Sequence, residues 1–301
     1  MSHSLRGILA LLVVTLVWGT TFPAMKALTA GLTPAWIVLS RFALAAVILS
    51  PFLWRGARSD LRSGLLLGLL LFFCYVFQVE GLALTSSNRN AFICGLNVLI
   101  VPLLGVLSGR PPERRIWIAL ALAVSGLAAL CWDGGAWGFG DTLALGAALT
   151  FGLYIKMMEV HTRGAKRLMT LTAMQIATVA ACAAVWVLVT EAPYGSMSDV
   201  SAYSHRITAA LGHGAWGVIY LGVVATAAII SLQTWGQRHS TANEAAVMYA
   251  FEPAAAAFFG YFWLGETMTG RGWIGAALLI SGMIVSQWNS EPRPEGALVP
   301  E

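Results

Sequence analysis

Apolar stretches long enough to cross a membrane follow one another along almost the whole chain. A spanning helix needs about 20 mostly apolar residues, and such stretches lie at 5–28, 33–54, 61–84, 88–109, 114–132, 139–161, 168–190, 209–235, 241–264 and 269–288. Lipid offers no hydrogen bonds to an open backbone, so each stretch is predicted to be a helix. The sequence therefore predicts an all-α polytopic membrane protein with ten transmembrane helices.

The composition agrees with a protein whose main solvent is the lipid bilayer. Of the 301 residues 58% are hydrophobic and 11% are charged, whereas a soluble protein carries about 25% charged residues. The net charge is +4, but there is no basic run of the kind that binds nucleic acid. Four cysteines lie within apolar runs without metal-ligand spacing and are predicted to be free, buried thiols: Cys74, Cys94, Cys131 and Cys182.

The distribution of basic residues among the loops predicts the orientation, because cytoplasmic loops carry the excess of Lys and Arg. With a cytoplasmic N-terminus, the inner side receives Arg6, Arg55, Arg58, Arg62, Arg110, Arg114, Arg115, Arg163, Lys166, Arg167, Arg238 and Arg293. The outer side receives only Arg89, Arg206 and Arg271. Both termini are therefore predicted to face the cytoplasm.

One segment of the chain occurs twice. RIWIALALAVSGL at 115–127 returns as RGWIGAALLISGM at 271–283, an offset of 156 residues (271 − 115). The same offset relates Thr85 to Thr241, and a weaker match relates the first predicted span to the sixth. Five spans in each half would insert the second half upside down, as in the inverted repeats of secondary transporters. We predict a first repeat at 1–134, an inverted second repeat at 135–289 and a disordered cytoplasmic tail at 290–301.

Three motifs in the first half and two in the second carry a family resemblance. They are VWGTTFPAMKAL, WIVLSRFALAAVIL and GLALTSSNRNAFICGLNVLIVPLLGVL, then Pro253 with LGE at 264–266, and WIGAALLISG. The chain resembles the drug/metabolite transporter superfamily, in particular the EamA-type ten-helix exporters, and among them bacterial exporters of aromatic amino acids. The resemblance implies a multi-pass transporter of the bacterial inner (plasma) membrane, with a small-molecule substrate and no cofactor. It leaves the oligomeric state open, and a monomer is compatible with it.

The chain departs from that family pattern in three places. Asn97 stands where the second half has Pro253, and Ser108-Gly109-Arg110 stands where the family often has LGE. The acidic residue that small four-helix relatives carry in their first span is absent. Proton exchange as the driving force is therefore left open.

Enzyme motifs are absent or lie in the wrong context. GRGWIG at 270–275 matches G-x-G-x-x-G, but it opens a predicted spanning helix and follows no strand. GFGD at 138–141 is similar to a motif of intramembrane aspartyl proteases, but the nearest second aspartate, Asp133, lies in the same short loop. We predict that the protein is not an enzyme.

Polar residues inside the spans are the candidates for a transport pathway, because lipid penalises them. Glu252 is in the middle of the ninth span, and the next residue, Pro253, cannot donate to the carbonyl of Tyr249. In the fourth span, Asn97 is at the position that corresponds to Pro253 in the repeat. We predict that Glu252 and Asn97 bind substrate, the alternative being that Glu252 braces neighbouring helices. Lys156 either binds a substrate carboxylate or snorkels to the interface.

Aromatic and amide side chains on five spans are the candidate cavity walls for a flat, amphipathic solute: Trp18, Phe22, Tyr75, Gln78, Asn90, Tyr154 and Tyr249. Arg41 and Glu80 lie in the outer halves of their spans, and we predict a structural or gating pair rather than substrate contacts. Glu244 follows Thr241 at capping-box spacing and is predicted to be structural.

The repeated segment itself is predicted to be scaffold. Ala121 and Ser125 on the fifth span, and Ala277 and Ser281 on the tenth, form faces of small residues that allow close helix packing in lipid. We expect these two helices to pack against each other.

The predicted function is export of small metabolites, in particular amino acids including aromatic ones, by alternating access around a midplane cavity. One alternative is export of lipophilic drugs or nucleotide-linked sugars. The other is a polytopic membrane enzyme, which the lack of an acid–base pair or metal cluster disfavours.

Overall fold

The computed structural model describes residues 3–54, 56–109, 112–131, 136–191, 197–255, 258–259 and 269–287. These residues form helices and turns, with no strand among them. The helices of the first half are α1 His3–Gly19, α2 Thr21–Leu28, α3 Pro34–Leu49, α4 Arg58–Leu84, α5 Ser87–Gly95, α6 Asn97–Leu107 and α7 Arg114–Cys131. Those of the second half are α8 Phe139–Gly164, α9 Leu168–Thr190, α10 Met197–His213, α11 Ala215–Ile219, α12 Ile229–Arg238, α13 Ala242–Tyr249 and α14 Gly270–Gln287.

Seven helical stretches among these residues are long and apolar enough to cross a membrane. They are Leu5–Leu28, Pro34–Phe52, Arg58–Leu84, Arg89–Leu107, Phe139–Gly164, Leu168–Thr190 and Ala215–Arg238. Each coincides with one of the ten predicted spans. Part of the predicted ninth span, the predicted boundary near residue 134 and the tail at 290–301 lie outside the described residues.

Three of the predicted spans are interrupted near their middle. α1 gives way to α2 at Thr20, α5 to α6 at Leu96, and α13 ends at Tyr249 before two turn residues. Pro23 and Pro253 lack the N–H groups that would bond the carbonyls of Gly19 and Tyr249, which accounts for the first and third interruptions. The first predicted span therefore consists of α1 and α2, and the fourth of α5 and α6.

α7 and α14, which carry the repeated segment, pack closely against each other. A Cβ added to Gly126 would lie 2.8 Å from the carbonyl oxygen of Gly275, and one added to Gly275 would lie 2.7 Å from that of Gly126. The pair is also tied at both ends: Arg115 donates to the carbonyl of Ser286, and Arg271 donates to that of Ala128. The expected packing is confirmed.

The face that makes this contact differs from the predicted one. Ala121, Ser125, Ala277 and Ser281 are all exposed on the surface of the α7–α14 pair. The helices instead meet through the glycines and through buried residues such as Ala123. Glycine permits a closer backbone approach than alanine or serine, so the glycine face is the one that packs.

The long linker before the eighth span contains a helix that was not predicted. α10 is joined to the membrane helices through Tyr203, whose hydroxyl accepts a hydrogen bond from Trp36 Nε1 at 2.8 Å. The same hydroxyl lies 3.4 Å from the carboxylate of Glu191, at the end of α9. The eighth span itself begins at Ala215 and includes a π-helical segment, Tyr220–Ala228.

Candidate substrate cavity

The interrupted helices surround one cavity. Its wall includes Trp18 and Phe22 from either side of the first interruption, Gly95 and Asn97 from either side of the second, and Glu252 just after the third. α4, α8 and α12 complete the wall. Interrupted helices at the middle of a bilayer are tolerated where they line a cavity, and secondary transporters bind their substrates at such places.

Aromatic rings form much of the cavity wall. Trp18 and Tyr249 lie with ring centroids 5.4 Å apart. Tyr75 meets Phe151 edge to face at 6.2 Å, and all four side chains line the cavity. Their apolar faces suit a planar or apolar group of a solute.

Three buried polar atoms of the wall have no hydrogen-bond partner among the described residues: Trp18 Nε1, Asn97 Oδ1 and Gln233 Oε1. All three side chains are at least nine-tenths buried. An unpaired buried polar atom costs about 1–3 kcal/mol, so such atoms are rare in packed cores. These three atoms around one cavity are therefore available to hydrogen-bond a polar ligand.

Glu252 contributes an acidic side chain to the cavity wall. It lies beside Pro253 at the interruption of the ninth span, as the sequence placed it. No Lys or Arg belongs to the described cavity wall. Together with the oxygens of Asn97 and Gln233, the carboxylate makes the wall rich in acceptors, which suits a ligand with several N–H donors.

The cavity is narrow in this conformation. Its free volume is about 30 Å³, room for one or two water molecules. It lies between two apolar clusters, one containing Trp18 and Tyr249 and the other containing Phe22 and Tyr75. A larger solute fits only if these two clusters move apart.

The structure brings seven predicted site residues to this cavity. The aromatic ones are Trp18, Phe22, Tyr75 and Tyr249, and the polar ones are Gln78, Asn97 and Glu252.

Three predicted site residues lie elsewhere. Asn90 is buried, and its Nδ2 donates to the carbonyl of Gln78 at 3.3 Å. The hydroxyl of Tyr154, also buried, donates to Gln175 Oε1 at 2.9 Å. Lys156 forms an ion pair with Glu159 at 3.2 Å. Each of these side chains has a protein partner and none of them belongs to the described cavity wall, so substrate contact by these three residues stays a prediction.

The expected pair of Arg41 and Glu80 is not formed. Arg41 Nε donates to Thr226 Oγ1 at 2.9 Å, and no described carboxylate makes an ion pair with Arg41. Glu244, in contrast, behaves as predicted. Its carboxylate accepts from the backbone N–H of Thr241 at 2.9 Å, and its own N–H donates to the Thr241 hydroxyl at 3.0 Å.

The EamA-like transporter family model matches residues 5–132 and again residues 138–287. The chain belongs to this family. The resemblance found in the sequence is thereby confirmed, and the protein is a membrane transporter of the EamA-like family.

Relatives of this EamA-like transporter cover nearly its whole length. An uncharacterized transporter of Archaeoglobus fulgidus is 27% identical over 280 residues, which is 92% of this chain and 84% of the relative. A probable terminal-alkyne amino-acid exporter of Streptantibioticus cattleyicolor is 26% identical over 315 residues, 98% of both chains. A solved crystal structure superposes with a TM-score of 0.73 at 19% identity, covering 93% of this chain and 96% of that one, which shows a common fold.

Some wall residues of this EamA-like transporter were not predicted. Gln233 is an amide within the apolar eighth span, and a polar residue at membrane depth is a signal that could have identified it. Thr21 and Phe151 also line the cavity, but a threonine and a phenylalanine in apolar spans give no such signal.

Of the predicted free thiols, Cys74 and Cys94 are free and buried, and Cys182 is free but half-buried. The side chain of Cys131 lies outside the described part.

Proposed function

We propose that the protein exports small metabolites, in particular amino acids including aromatic ones, by alternating access around the cavity. The observation that carries the proposal is the cavity wall, where unpaired Asn97 and Gln233 oxygens and the Glu252 carboxylate lie among aromatic rings. A substrate ammonium group would satisfy the acceptors, and an aromatic side chain would contact the rings. The relative named as a probable amino-acid exporter supports the same substrate class.

The wall argues against the first alternative, a nucleotide-linked sugar. Its phosphates would meet a carboxylate and no basic residue of the described wall. A lipophilic drug would suit the rings but would leave the buried oxygens of Asn97 and Gln233 unpaired, at a cost in affinity.

The transport cycle we propose uses two inverted repeats of five helices. In the repeat register Leu96 corresponds to residue 252 (96 + 156), and the fourth and ninth spans are interrupted within two residues of these matching positions. Arg115 and Arg271 also correspond, and each bonds the end of the opposite helix. The family model matches once in each half. Rocking of two such units would open the cavity to alternate sides of the membrane.

The orientation we propose places both termini in the cytoplasm of a bacterial cell, in its inner membrane, because the basic loops then lie inside. In a variant lacking the native cysteines, Gly164→Cys should react with an impermeant maleimide only from the cytoplasmic side, and Ser201→Cys only from outside. Both residues are exposed. The opposite labelling pattern would refute this orientation.

Counterflow in proteoliposomes tests the transport proposal. Vesicles preloaded with unlabelled phenylalanine should take up labelled phenylalanine, and the rate with and without a pH gradient tells whether protons are exchanged. Glu252→Gln should reduce this uptake by about tenfold or more, since a charge-assisted hydrogen bond is worth about 1.5–3 kcal/mol. Its melting temperature should stay close to that of the wild type.

The outcomes separate the proposal from its rivals. If Glu252 only braces the helices, the Gln variant loses stability and all substrates are affected alike. If wild-type vesicles take up a nucleotide-linked sugar or a lipophilic cation but no amino acid, the proposed substrate class is wrong.

A further inference from the structure

Arg41 is a buried cation that forms no ion pair with a described carboxylate; the acidic group that acts on it, Glu252, also interacts with Tyr75. Arg41 lies in the apolar helix α3, is 1% exposed, and is the largest fully buried side chain among the described residues. A guanidinium group stays charged in proteins, and a charge at membrane depth costs a few kcal/mol unless it is compensated. The contacts around Arg41 therefore have to explain why the residue is there.

Every contact that the structure gives Arg41 is with a neutral group. Nε donates to Thr226 Oγ1 at 2.9 Å, and Nη1 lies 3.3 Å from the sulfur of Met25. The guanidinium carbon lies 5.5 Å from the centroid of the Phe42 ring and 5.0 Å from that of Tyr75. Nη2 has no hydrogen-bond partner among the described residues.

The rings and the hydroxyl position the guanidinium without neutralising it. Thr226 belongs to the π-helical segment, and its own hydroxyl donates to the carbonyl of Leu221 at 2.7 Å, which fixes the acceptor that Arg41 uses. The Nη side of the guanidinium, in contrast, bonds only a weak sulfur acceptor. That side has the two-pronged geometry that binds a carboxylate.

Tyr75 connects Arg41 to the cavity. The same phenol ring that stacks on the guanidinium is part of the cavity wall, so one side-chain layer separates the cation from the solute space. Tyr75 is held by edge-to-face contacts with Phe42 at 4.9 Å and Phe151 at 6.2 Å. Among the described residues it has no hydrogen-bond partner that would prevent the ring from turning when the cavity widens.

We propose that Arg41 binds the carboxylate of the transported amino acid once Tyr75 has turned aside. The assignment rests on the proposed function and adds to it. Glu252 and Arg41 would then recognise the two opposite charges of one zwitterion, with the aromatic wall between them. The proposal assigns to Arg41 the carboxylate-binding role that the sequence suggested for Lys156, because the structure places Lys156 in an ion pair with Glu159.

Competition with analogues that lack one charge tests this assignment. In the phenylalanine counterflow assay, unlabelled phenylalanine, phenylethylamine (no carboxylate) and 3-phenylpropionate (no ammonium) are added as competitors. For the wild type, phenylalanine should compete at least tenfold better than phenylethylamine, as expected for a charged hydrogen-bonded pair. In Arg41→Gln, the competition by phenylalanine should fall to the level seen with phenylethylamine. The competition by phenylethylamine itself should change little.

Matched variants separate recognition from folding. Lys26→Met removes another cation of the first two spans, one whose Nζ donates to the carbonyl of Leu82 at 2.9 Å, and it should leave the ratio of the two competitors unchanged. Arg41→Lys keeps the charge but not the two-pronged geometry, and it should lower the ratio several-fold. If Arg41→Gln does not fold, the competitor ratio measured with Arg41→Lys tests the assignment instead, and an unchanged ratio overturns it.

Two failures can be told apart. If the Arg41 variants weaken phenylalanine and phenylethylamine equally, Arg41 is structural and only this assignment is overturned. If wild-type vesicles show no counterflow of any amino acid, the proposed function fails and the role of Arg41 fails with it.

Discussion

The α7–α14 pair and the interrupted helices around the cavity differ in whether the helices are continuous and whether their polar atoms are paired. α7 and α14 are continuous, meet through glycine, and use Arg115 and Arg271 to bond backbone carbonyls at their ends. The cavity helices are broken and leave polar atoms of Asn97 and Gln233 unpaired. In lipid, an unsatisfied polar group is costly. The contrast indicates that stability is concentrated in the pair; under the proposed function, the cavity gives up stability in order to bind a solute.

The largest effect should come from overpacking the helix pair. Gly126→Leu and Gly275→Leu each place a side chain where the facing backbone already lies within 3 Å of an added Cβ. Overpacking costs about 1–3 kcal/mol per site, so the double variant should melt on the order of 10 °C lower in detergent. Thermal unfolding measured by the fluorescence of the tryptophans reports this.

The matched control for overpacking uses the exposed face of the same helices. Ala121→Leu with Ala277→Leu adds comparable side chains at positions that face away from the pair. These changes should leave the melting temperature nearly unchanged. Equal destabilisation by both double variants would show that the glycine contact has no special role.

The second effect concerns the interruption at Pro253. Pro253→Ala supplies an N–H group to the carbonyl of Tyr249, so the ninth helix can continue through the cavity wall. We expect melting at the wild-type temperature or above it, together with phenylalanine counterflow reduced about tenfold, because the wall loses its prepared geometry. Pro102→Ala is the control, since α6 continues through Pro102. If the two variants transport equally well, the interruption is not needed.

These two prolines show how far the sequence determines the cavity. The interruption after Tyr249 was predictable because proline lacks the donor that the helix needs, and Pro23 gives the same signal in the first span. Pro102 lies inside a continuous helix, whereas the interruption at Leu96 has no proline within it. Tertiary packing decides these cases, and a single sequence does not contain it in readable form.

Helix rotation was the second property that the sequence did not determine. The spacing of small residues in the repeated segment predicted that α7 and α14 pack together but favoured the face of Ala121, whereas the contact is made by Gly126. In the same way, Lys156 belongs to a cavity-lining helix, yet its side chain pairs with Glu159. Seven of the predicted site residues line the cavity because they lie near helix interruptions or on helix faces that point toward it.

The third prediction compares an amide whose oxygen has no partner in the described structure, that of Gln233, with one whose oxygen is bonded, that of Gln175. Gln233→Met removes an oxygen that has no partner in the described structure, so it should stabilise the protein by about 1 kcal/mol while weakening substrate binding. Gln175 is also fully buried, but it accepts from Tyr154 at 2.9 Å and donates to Thr234 at 3.2 Å. Gln175→Met should therefore destabilise by about 1–3 kcal/mol.

If Gln233→Met raises the stability and Gln175→Met lowers it, the result supports the view that the cavity wall loses stability in order to bind substrate. Melting curves give the stability, and competition in the counterflow assay gives the substrate binding. If Gln233→Met is as destabilising as Gln175→Met, the oxygen of Gln233 has a partner, and the cavity wall is not held open for a ligand.

The smallest effect is expected from Lys156→Met, which tests whether a cation that shares a cavity-lining helix must also recognise substrate. Lys156 pairs with Glu159 at 3.2 Å, and its side chain is 25% exposed. Glu159 keeps a second partner, Arg163, at 2.9 Å. A partly exposed pair is worth about 0–1 kcal/mol, so both the melting temperature and the ratio of phenylalanine to phenylethylamine competition should stay close to the wild type. A selective loss of competition by phenylalanine in this variant would show that Lys156 takes part in recognising the carboxylate. The same ratio therefore compares the two cations directly, because the proposal expects it to fall in the Arg41 variants and to stay unchanged in Lys156→Met.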